Sequence, residues 1–317
     1  MESAKSLADV TVIVPVYQEE KAVGFVLNEI ISTGLHQENI IVVDGGSKDR
    51  TVEIAKSIGV TVVFQRGKGK ADAVKTGLEL VKTPYLLVMD GDGTYPAKYI
   101  PRLLELAKKS DCDLVIGVRV YGKESQRFLF RLGNKILTTF FNMLFGVKLK
   151  DVLSGMYLAK TEKMKEIGFE MKGFSVEAET VAHFANLGYK ICEEPIEYRP
   201  RIDPRGKKLR VFHGPKIAID MVRLTWRYNP AFFILGLGAL LLIPGLVLGA
   251  WVGYHYLFTG VKYYVKGLIA ILLTLTGFTS AVTAIMALYV KRIEIRLNKK
   301  FEEIRREIRN LANNKHD

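Results

Sequence analysis

The sequence predicts an α/β domain built on a mostly parallel sheet with helices on both faces, followed by a two-helix transmembrane hairpin and a C-terminal helix. Three observations predict it. Short β-branched runs alternate with helical patterns from Val10 to Val118, two long apolar stretches carry no charge, and lysines and arginines crowd the outer flanks of those stretches.

Alternating strands and helices pair in parallel, because each helix carries the chain back before the next strand begins. The strand runs are VTVIVPV from Val10, NIIVVD ending at Asp44, VTVVF ending at Phe64, YLLVMD ending at Asp90 and DLVIGV ending at Val118. Periodicity places helices between them near Glu19 to Ser32, Asp49 to Ile58, Ala71 to Val81 and Tyr99 to Lys109. Ligands of such sheets bind at the carboxyl ends of the strands, so these loops should carry the chemistry.

With 317 residues, 49% of them hydrophobic and 25% charged, the chain has room for one full-sized domain with appendages, and disorder is not expected. A formal charge of +13 favours an anionic partner and leaves open nucleic acid, a phosphorylated small molecule and an acidic bilayer. Cys112 and Cys192 stand far apart without a Cys-x-x-Cys or Cys/His cluster. Neither a disulfide framework nor a zinc site is predicted, and both are read as buried thiols in a reducing compartment.

The first strand ends in Pro15-Val16-Tyr17-Gln18-Glu19, the second in Asp44-Gly45-Gly46-Ser47-Lys48-Asp49, the fourth in Asp90-Gly91-Asp92-Gly93-Thr94. In the second loop the glycines let the backbone turn before Ser47 or Asp49 caps the next helix. Capping accounts for Ser47 and Asp49 as well as ligand binding does, but it leaves Asp44 unexplained. In the fourth, two carboxylates ~4 Å apart repel by about 4 kcal/mol at an effective dielectric of 20. A divalent cation removes that penalty, and oxygen ligands from a short acidic turn suit Mg²⁺ or Mn²⁺ bridging a diphosphate. Turns favour Asp and Gly on their own account, so the motif takes its meaning from its place at a strand end. Gly67-Lys68-Gly69-Lys70 lacks both GxGxxG and GxxxxGK[ST] spacing, which disfavours a dinucleotide or Walker site. Lys70, nearer the helix start, is the better phosphate candidate, while Lys68 is equally a solvated turn residue.

Met1 to Val10 contains no apolar stretch of signal-peptide length, so the N-terminal region is expected to stay where it is made. Ala231 to Tyr254 and Gly267 to Val290 are uncharged, and 24 residues of helix reach roughly 36 Å, enough for a ~30 Å hydrocarbon core. Small and hydroxyl residues from Thr274 to Thr283 favour close packing of the second span on the first. Basic residues from Arg199 to Arg227 and from Lys291 to Arg309, against Lys262 and Lys266 in the connection, place both termini on the cytoplasmic side of a two-span membrane protein. Residues 1–212 form the catalytic domain, 213–230 a juxtamembrane amphipathic helix, 231–290 the hairpin and 291–317 a basic helical tail.

Two further segments are amphipathic. Phe128 to Leu144 and Lys216 to Tyr228 each have an apolar face that suits either a membrane interface or packing onto the sheet. Ile293, Leu297, Phe301, Ile304, Ile308 and Leu311 make a short heptad seam, which docks, lies on the membrane or joins subunits. A homo-oligomer through this helix or the hairpin stays open.

Taken in order, strand-PVYQE, strand-DGGSKDRT, strand-DGDGTYP, IGVR at Ile116 to Arg119, DVLSG at Asp151 to Gly155 and EYRPR at Glu197 to Arg201 resemble family-2 glycosyltransferases. The likeness is strongest to the dolichyl-phosphate hexose synthases, notably the archaeal enzymes that begin lipid-linked N-glycan assembly. It covers residues 10 to 230, with two family-like spans after them. The resemblance implies a GT-A (Rossmann-like) sheet and metal-dependent transfer of a hexose to dolichyl or polyprenyl phosphate, with no nucleic acid involved. Pro15, Tyr17, Glu19 and Asp44 would surround the base and ribose, with Ser47, Lys70 and Gly91 also at the donor. Asp90 and Asp92 would hold Mg²⁺ or Mn²⁺ and the diphosphate. Ser154 and Gly155 would lie beside the sugar, Arg119 would face phosphate, and Glu177 or Glu179 matches an acidic position near the sugar. Arg119, Arg131, Arg199, Arg201, Lys207 and Lys208 would meet the lipid phosphate near the bilayer.

Mannose synthases of the family typically read Asp-Asp-x-Ser in the second loop and Asp-Ala-Asp followed closely by Gln in the fourth. Here Gly45 and Gly91 intervene and no Gln follows Asp92, which favours a UDP-sugar, glucose or an N-acetylhexosamine, over GDP-mannose. A transferase acting on a hydroxyl acceptor is the alternative enzyme, although two spans and no Q-x-x-R-W-like segment count against a processive synthase. A non-enzymatic basic membrane scaffold leaves the strand-end carboxylates unexplained.

Overall fold

The computed structural model describes residues 7–121, 128–169, 176–203 and 213–313. The chain divides into two compact units, Met1–Val222 and Arg223–Asp317.

The first unit is a seven-stranded mixed sheet. Its strands are β1 (Val10–Val16), β2 (Ile40–Asp44), β3 (Thr61–Phe64), β4 (Tyr85–Val88), β5 (Leu114–Tyr121), β6 (Tyr157–Lys160) and β7 (Ile191–Tyr198). They lie in the order β3-β2-β1-β4-β6-β5-β7. β2 is buried along its whole length and β1 nearly so, as β-branched strands covered on both faces must be. The helices between them are α1 (Val23–Ser32), α2 (Thr51–Ser57), α3 (Lys70–Leu80) and α4 (Ile100–Lys109). Each presents an apolar stripe to the sheet, as with Val23, Val26, Leu27 and Ile30 of α1. α4 begins with a proline in its first turn, where a missing N–H costs nothing.

From β1 the chain winds outward through β2 and β3, then returns to β4 on the other flank of β1. Reversal of strand order opens a crevice at the carboxyl ends of β1 and β4, the place where sheets of this kind bind ligands.

The sheet also contains two strands that the βα alternation did not predict, β6 and β7. β6 runs antiparallel between β4 and β5, with Tyr157 opposite Val88 and opposite Ile116. Because it is antiparallel, its beginning lies beside the carboxyl end of β4, and residues 154–156 are delivered to Asp90. β7 then runs parallel to β5 at the sheet edge.

α1 starts four residues later than its periodicity suggested. Gln18 has a positive φ of 53°, and the Glu19 amide donates to Thr51 Oγ1 at 2.8 Å, so residues 17–22 form a turn tied to the neighbouring loop.

Cys112 and Cys192 correct the sequence expectation of two free thiols, because they are joined in a disulfide with Cα atoms 6.0 Å apart. Their separation of 80 residues in sequence hides the fact that β5 and β7 begin side by side, with Val115 opposite Cys192.

Three helices complete this unit, α5 (Phe128–Phe145), α6 (Thr161–Lys165) and α7 (Val176–Asn186), and α8 (His213–Tyr228) crosses into the second. α5 has a packed side and an open one: Phe141 and Leu144 are buried, whereas Leu132, Ile136 and Met143 are exposed. α8 likewise buries Ile217, Met221 and Leu224 and exposes Ile219 and Trp226.

The second unit contains α9 (Ala231–Tyr254) and α10 (Tyr264–Asn313), both long and apolar enough, in part, to cross a membrane. They pack antiparallel through small residues: a Cβ at Gly238 would come within 3.1 Å of Gly277 and Ala281 backbone, and one at Gly245 within 2.7 Å of Thr274. Ser280 Oγ donates to the Ile234 carbonyl at 2.8 Å across the same contact. The expected second span and basic tail are one continuous helix, since no glycine or proline follows Gly277 within it.

Candidate active site

Glu19, Asp90, Asp92 and Glu177 gather around two cations at the carboxyl end of the β1–β4 crevice. Arg201 bridges Glu19 and Asp92, the latter at 3.1 Å, and Lys70 bridges Asp90 and Glu177, each at 2.5 Å. Asp92 Oδ1 accepts from the Thr94 amide at 3.1 Å and its hydroxyl at 2.6 Å. Burial, then the charge of Asp90, raises the Asp92 pKa, although Arg201 opposes the shift. Burial also raises that of Glu177 against the pull of Lys70.

Two glycines allow this closeness. A Cβ at Gly91 would lie 2.6 Å from Val16 Cγ1, so β4 could not close on the end of β1 with any larger residue there. A Cβ at Gly155 would run into the Asp90 carboxylate.

Among the described residues, four carboxylates meet two cations in this cluster. The hard oxygen donors and the excess of carboxylates among the described residues are of the kind that fits Mg²⁺ or Mn²⁺.

The loops after β1 and β2 interlock beside the cluster. Asp44, which the sequence left unexplained, organises its own loop: Oδ2 accepts from the Gly46 and Ser47 amides at 2.8 Å each, and Oδ1 from Ser47 Oγ at 2.5 Å. Ser47 Oγ in turn accepts from the Gln18 amide at 2.8 Å. Tyr17 stands exposed over Gly45, and Pro15 is half-buried beneath this mouth.

A second centre lies around Arg119, on β5. Its Nε and Nη2 grip both oxygens of Asp151 at 2.6 and 2.7 Å, and Nη2 also donates to Asn134 Oδ1 at 2.9 Å. Burial raises the Asp151 pKa, but the Arg119 charge and hydrogen bonds outweigh it and hold the carboxyl below its ordinary value. Tyr198 lies under the guanidinium at 5.6 Å and packs edge-on against Tyr95 at 5.2 Å.

Arg119 and Asp151 also line a cavity of about 440 Å³ with Arg131, Asn134, Lys135 and Lys150, so four cations face one carboxylate there. Residues 151–155 connect the two centres, since Asp151 borders the cavity and Gly155 touches Asp90. Ser154 fastens this segment by donating to the Gly117 carbonyl at 2.5 Å, and the Gly155 amide donates to Tyr95 Oη at 2.7 Å.

The structure therefore brings Glu19, Lys70, Asp90, Gly91, Asp92, Gly155 and Arg201 together, and places Arg119 and Arg131 at the adjoining cavity. Three expectations change place. Arg201, grouped with the lipid-phosphate residues, is engaged at the carboxylate cluster. Arg199 pairs with Glu29 at 2.9 Å. Of the two acids opening α7, Glu177 reaches Lys70, whereas Glu179 is fully buried. Lys207 and Lys208 lie outside the described residues. Tyr95, Tyr198, Asn134 and Asp151 were not singled out from sequence. Tyr95, Tyr198 and Asp151 fall inside motifs already noted, but only the fold shows what they touch.

A mostly parallel sheet of this order, with an Asp-x-Asp pair at its switch point, defines the class of fold as GT-A-like. A family model described as glycosyl transferase family 2 matches residues 11–168. Glycosyltransferase AglJ of Haloferax volcanii is 28% identical over 299 residues, covering 93% of this chain and 98% of AglJ. A dolichyl-phosphate hexose transferase of Haloferax volcanii is 35% identical over 195 residues, covering 61% of this chain and 84% of that protein. Among solved structures, glucosyl-3-phosphoglycerate synthase from Mycobacterium tuberculosis, in complex with Mn²⁺, UDP-glucose and phosphoglyceric acid, shares the fold at a TM-score of 0.59 and 22% identity, covering 72% of this chain and 82% of that one. The chain belongs to glycosyl transferase family 2, and it is a hexosyltransferase.

Proposed function

We propose that this enzyme transfers a hexose, glucose or an N-acetylhexosamine, from a UDP-sugar to a dolichyl or polyprenyl phosphate, with inversion and with Mg²⁺ or Mn²⁺ at Asp90 and Asp92. The observation that carries the proposal is the pairing of a cluster whose carboxylates outnumber its cations among the described residues with an adjoining cavity rich in cations. The first suits an ion-bound diphosphate and the second an anionic acceptor. The dolichyl-phosphate hexose transferase named above and the Mn²⁺ and UDP-glucose of the solved neighbour support the same chemistry.

In this scheme the loops at Tyr17 and Asp44 receive the uridine, Tyr17 as an exposed ring and Asp44 by holding the loop's shape. Asp90 and Gly155 flank the sugar side of the diphosphate. When bound, the divalent ion supplies positive charge to the departing diphosphate. Arg119, Arg131, Lys135 and Lys150 hold the acceptor phosphate by charge, and Asp151 keeps the Arg119 guanidinium in one orientation. An acceptor phosphate is already ionised, so attack on the anomeric carbon needs no strong general base. Rate enhancement then comes from placement and charge stabilisation. The apolar helices α9 and α10 suit a lipid acceptor, with the catalytic domain and C-terminus cytoplasmic.

The test is a donor screen on the full-length protein with dolichyl or C55 polyprenyl phosphate, reading product by mass. A sugar-phospholipid formed only with divalent ion is expected. Asp92→Asn is expected to lower turnover by about 100-fold or more while membrane association survives. No lipid-linked product with any common nucleotide-sugar, or sugar joined to sugar, would reject this function.

A further inference from the structure

Lys70 begins α3 directly after Gly69, whose φ of 89° sets the turn that aims the side chain inward. Its ammonium lies 2.5 Å from Asp90 Oδ1 and 2.5 Å from Glu177 Oε1. The three side chains differ in access: Lys70 is 15% exposed, Glu177 8% and Asp90 31%. Water weakens a fully exposed ion pair until it is worth little, but these groups are mostly out of its reach.

The Lys70 ammonium thus sits on the first carboxylate of the Asp-x-Asp pair. A divalent ion on the same carboxylate would lie within a few ångströms of the ammonium, and like charges that close repel strongly. Glu177 supplies the way out. It lies on the other side of the ammonium, so Lys70 can leave Asp90 and remain paired, which avoids the large penalty of a stranded buried charge.

We propose that Lys70 is a built-in counter-cation that holds Asp90 while the divalent ion is absent and yields it, retreating to Glu177, when the ion and diphosphate arrive. This rests on the assignment of Asp90 and Asp92 as the cation site. Lys70 and Glu177 act as a positioning pair: they keep Asp90 oriented in the empty site and weaken ion binding to the donor-free enzyme. Ion and nucleotide then bind as a couple.

The decisive variant is the double substitution Lys70→Met with Glu177→Gln. It removes one charge of each sign, so the cluster's net charge is unchanged and no buried charge is stranded, yet Asp90 is released. Mn²⁺ binding is measured by electron paramagnetic resonance of free Mn²⁺ on the full-length protein in nanodiscs, with and without UDP. Without UDP, the double variant is expected to bind Mn²⁺ about tenfold more tightly than wild type, within the usual range of coupling between ligands. Glu177→Gln alone is expected to bind it more weakly, because Lys70 then has Asp90 as its main partner. An unchanged or weaker affinity in the double variant overturns the handover while leaving the cation site standing. Failure of both wild type and double variant to bind Mn²⁺, even with UDP, overturns the site assignment itself.

Discussion

Gly155 lies directly against Asp90: a Cβ at that position would collide with the carboxylate and come within 3.1 Å of Lys70 Nζ. The contact joins residues from opposite sides of an antiparallel pair, since β6 starts where β4 ends. One methyl group is therefore enough to move the first carboxylate of the Asp-x-Asp pair.

Gly155→Ala tests that contact. Misplacing a reacting group by about 1 Å can cost 100-fold in rate, so transfer is expected to fall by about two orders of magnitude or more. The melting temperature should change little, because Asp90 is partly exposed and can swing aside. Wild-type kcat/KM in this variant would show that Asp90 is not held where the chemistry needs it.

Lys135 tests the cavity. It is exposed and lies beside Arg119 and Arg131, so Lys135→Glu puts a negative charge where the acceptor phosphate is expected to lie. The KM for polyprenyl phosphate should rise about tenfold or more, in line with one charge-assisted contact of about 1.5–3 kcal/mol. The KM for the nucleotide-sugar should stay unchanged. Equal effects on both substrates would place the cavity elsewhere in the mechanism.

Acid stability should depend on Asp151. Its folded pKa is depressed by Arg119 despite burial, so its contribution is fully present above the unfolded value of about 3.9 and is lost as pH falls through the lower folded value. Thermal melts from pH 7 to pH 3 should show Asp151→Asn well below wild type at neutral pH, where Arg119 is left without its carboxylate. The gap should narrow at the acid end. A constant gap across the range would contradict the pairing.

The Cys112–Cys192 bridge closes a loop that includes α5, residues 151–155 and α7. Mass measurement of the unreduced, alkylated protein should find both cysteines protected. Replacing both with alanine should lower stability by about 2–4 kcal/mol. Full alkylation without reductant would show that the thiols are free in solution.

Much of the fold could be read from local pattern. β-branched runs marked β1 to β5, since period and composition are properties of a few adjacent residues. The apolar length of α9 and its lack of charge marked a span on the same grounds. β6 was missed because four residues with no alternation of their own, inserted antiparallel, leave no local signature. The disulfide was missed for a related reason: β5 and β7 become neighbours only when the sheet forms.

The site divides in the same way. Asp90 and Asp92 announced themselves in sequence because strand-end carboxylates two residues apart need an explanation, and a cation is the simplest. Asp44 stood out as a strand-end carboxylate that capping does not explain, and it accepts from the Gly46 and Ser47 amides and the Ser47 hydroxyl of its own loop. Sequence alone determined the kinds of groups present, the ends of the strands that carry them and the apolar helices that follow. Tertiary structure alone decided which charges meet: Lys70 with Asp90 and Glu177, Arg201 with Glu19 and Asp92, Arg119 with Asp151. Coulomb attraction and hydrogen bonding act over a few ångströms in space, and Lys70 and Glu177 lie 107 residues apart along the chain.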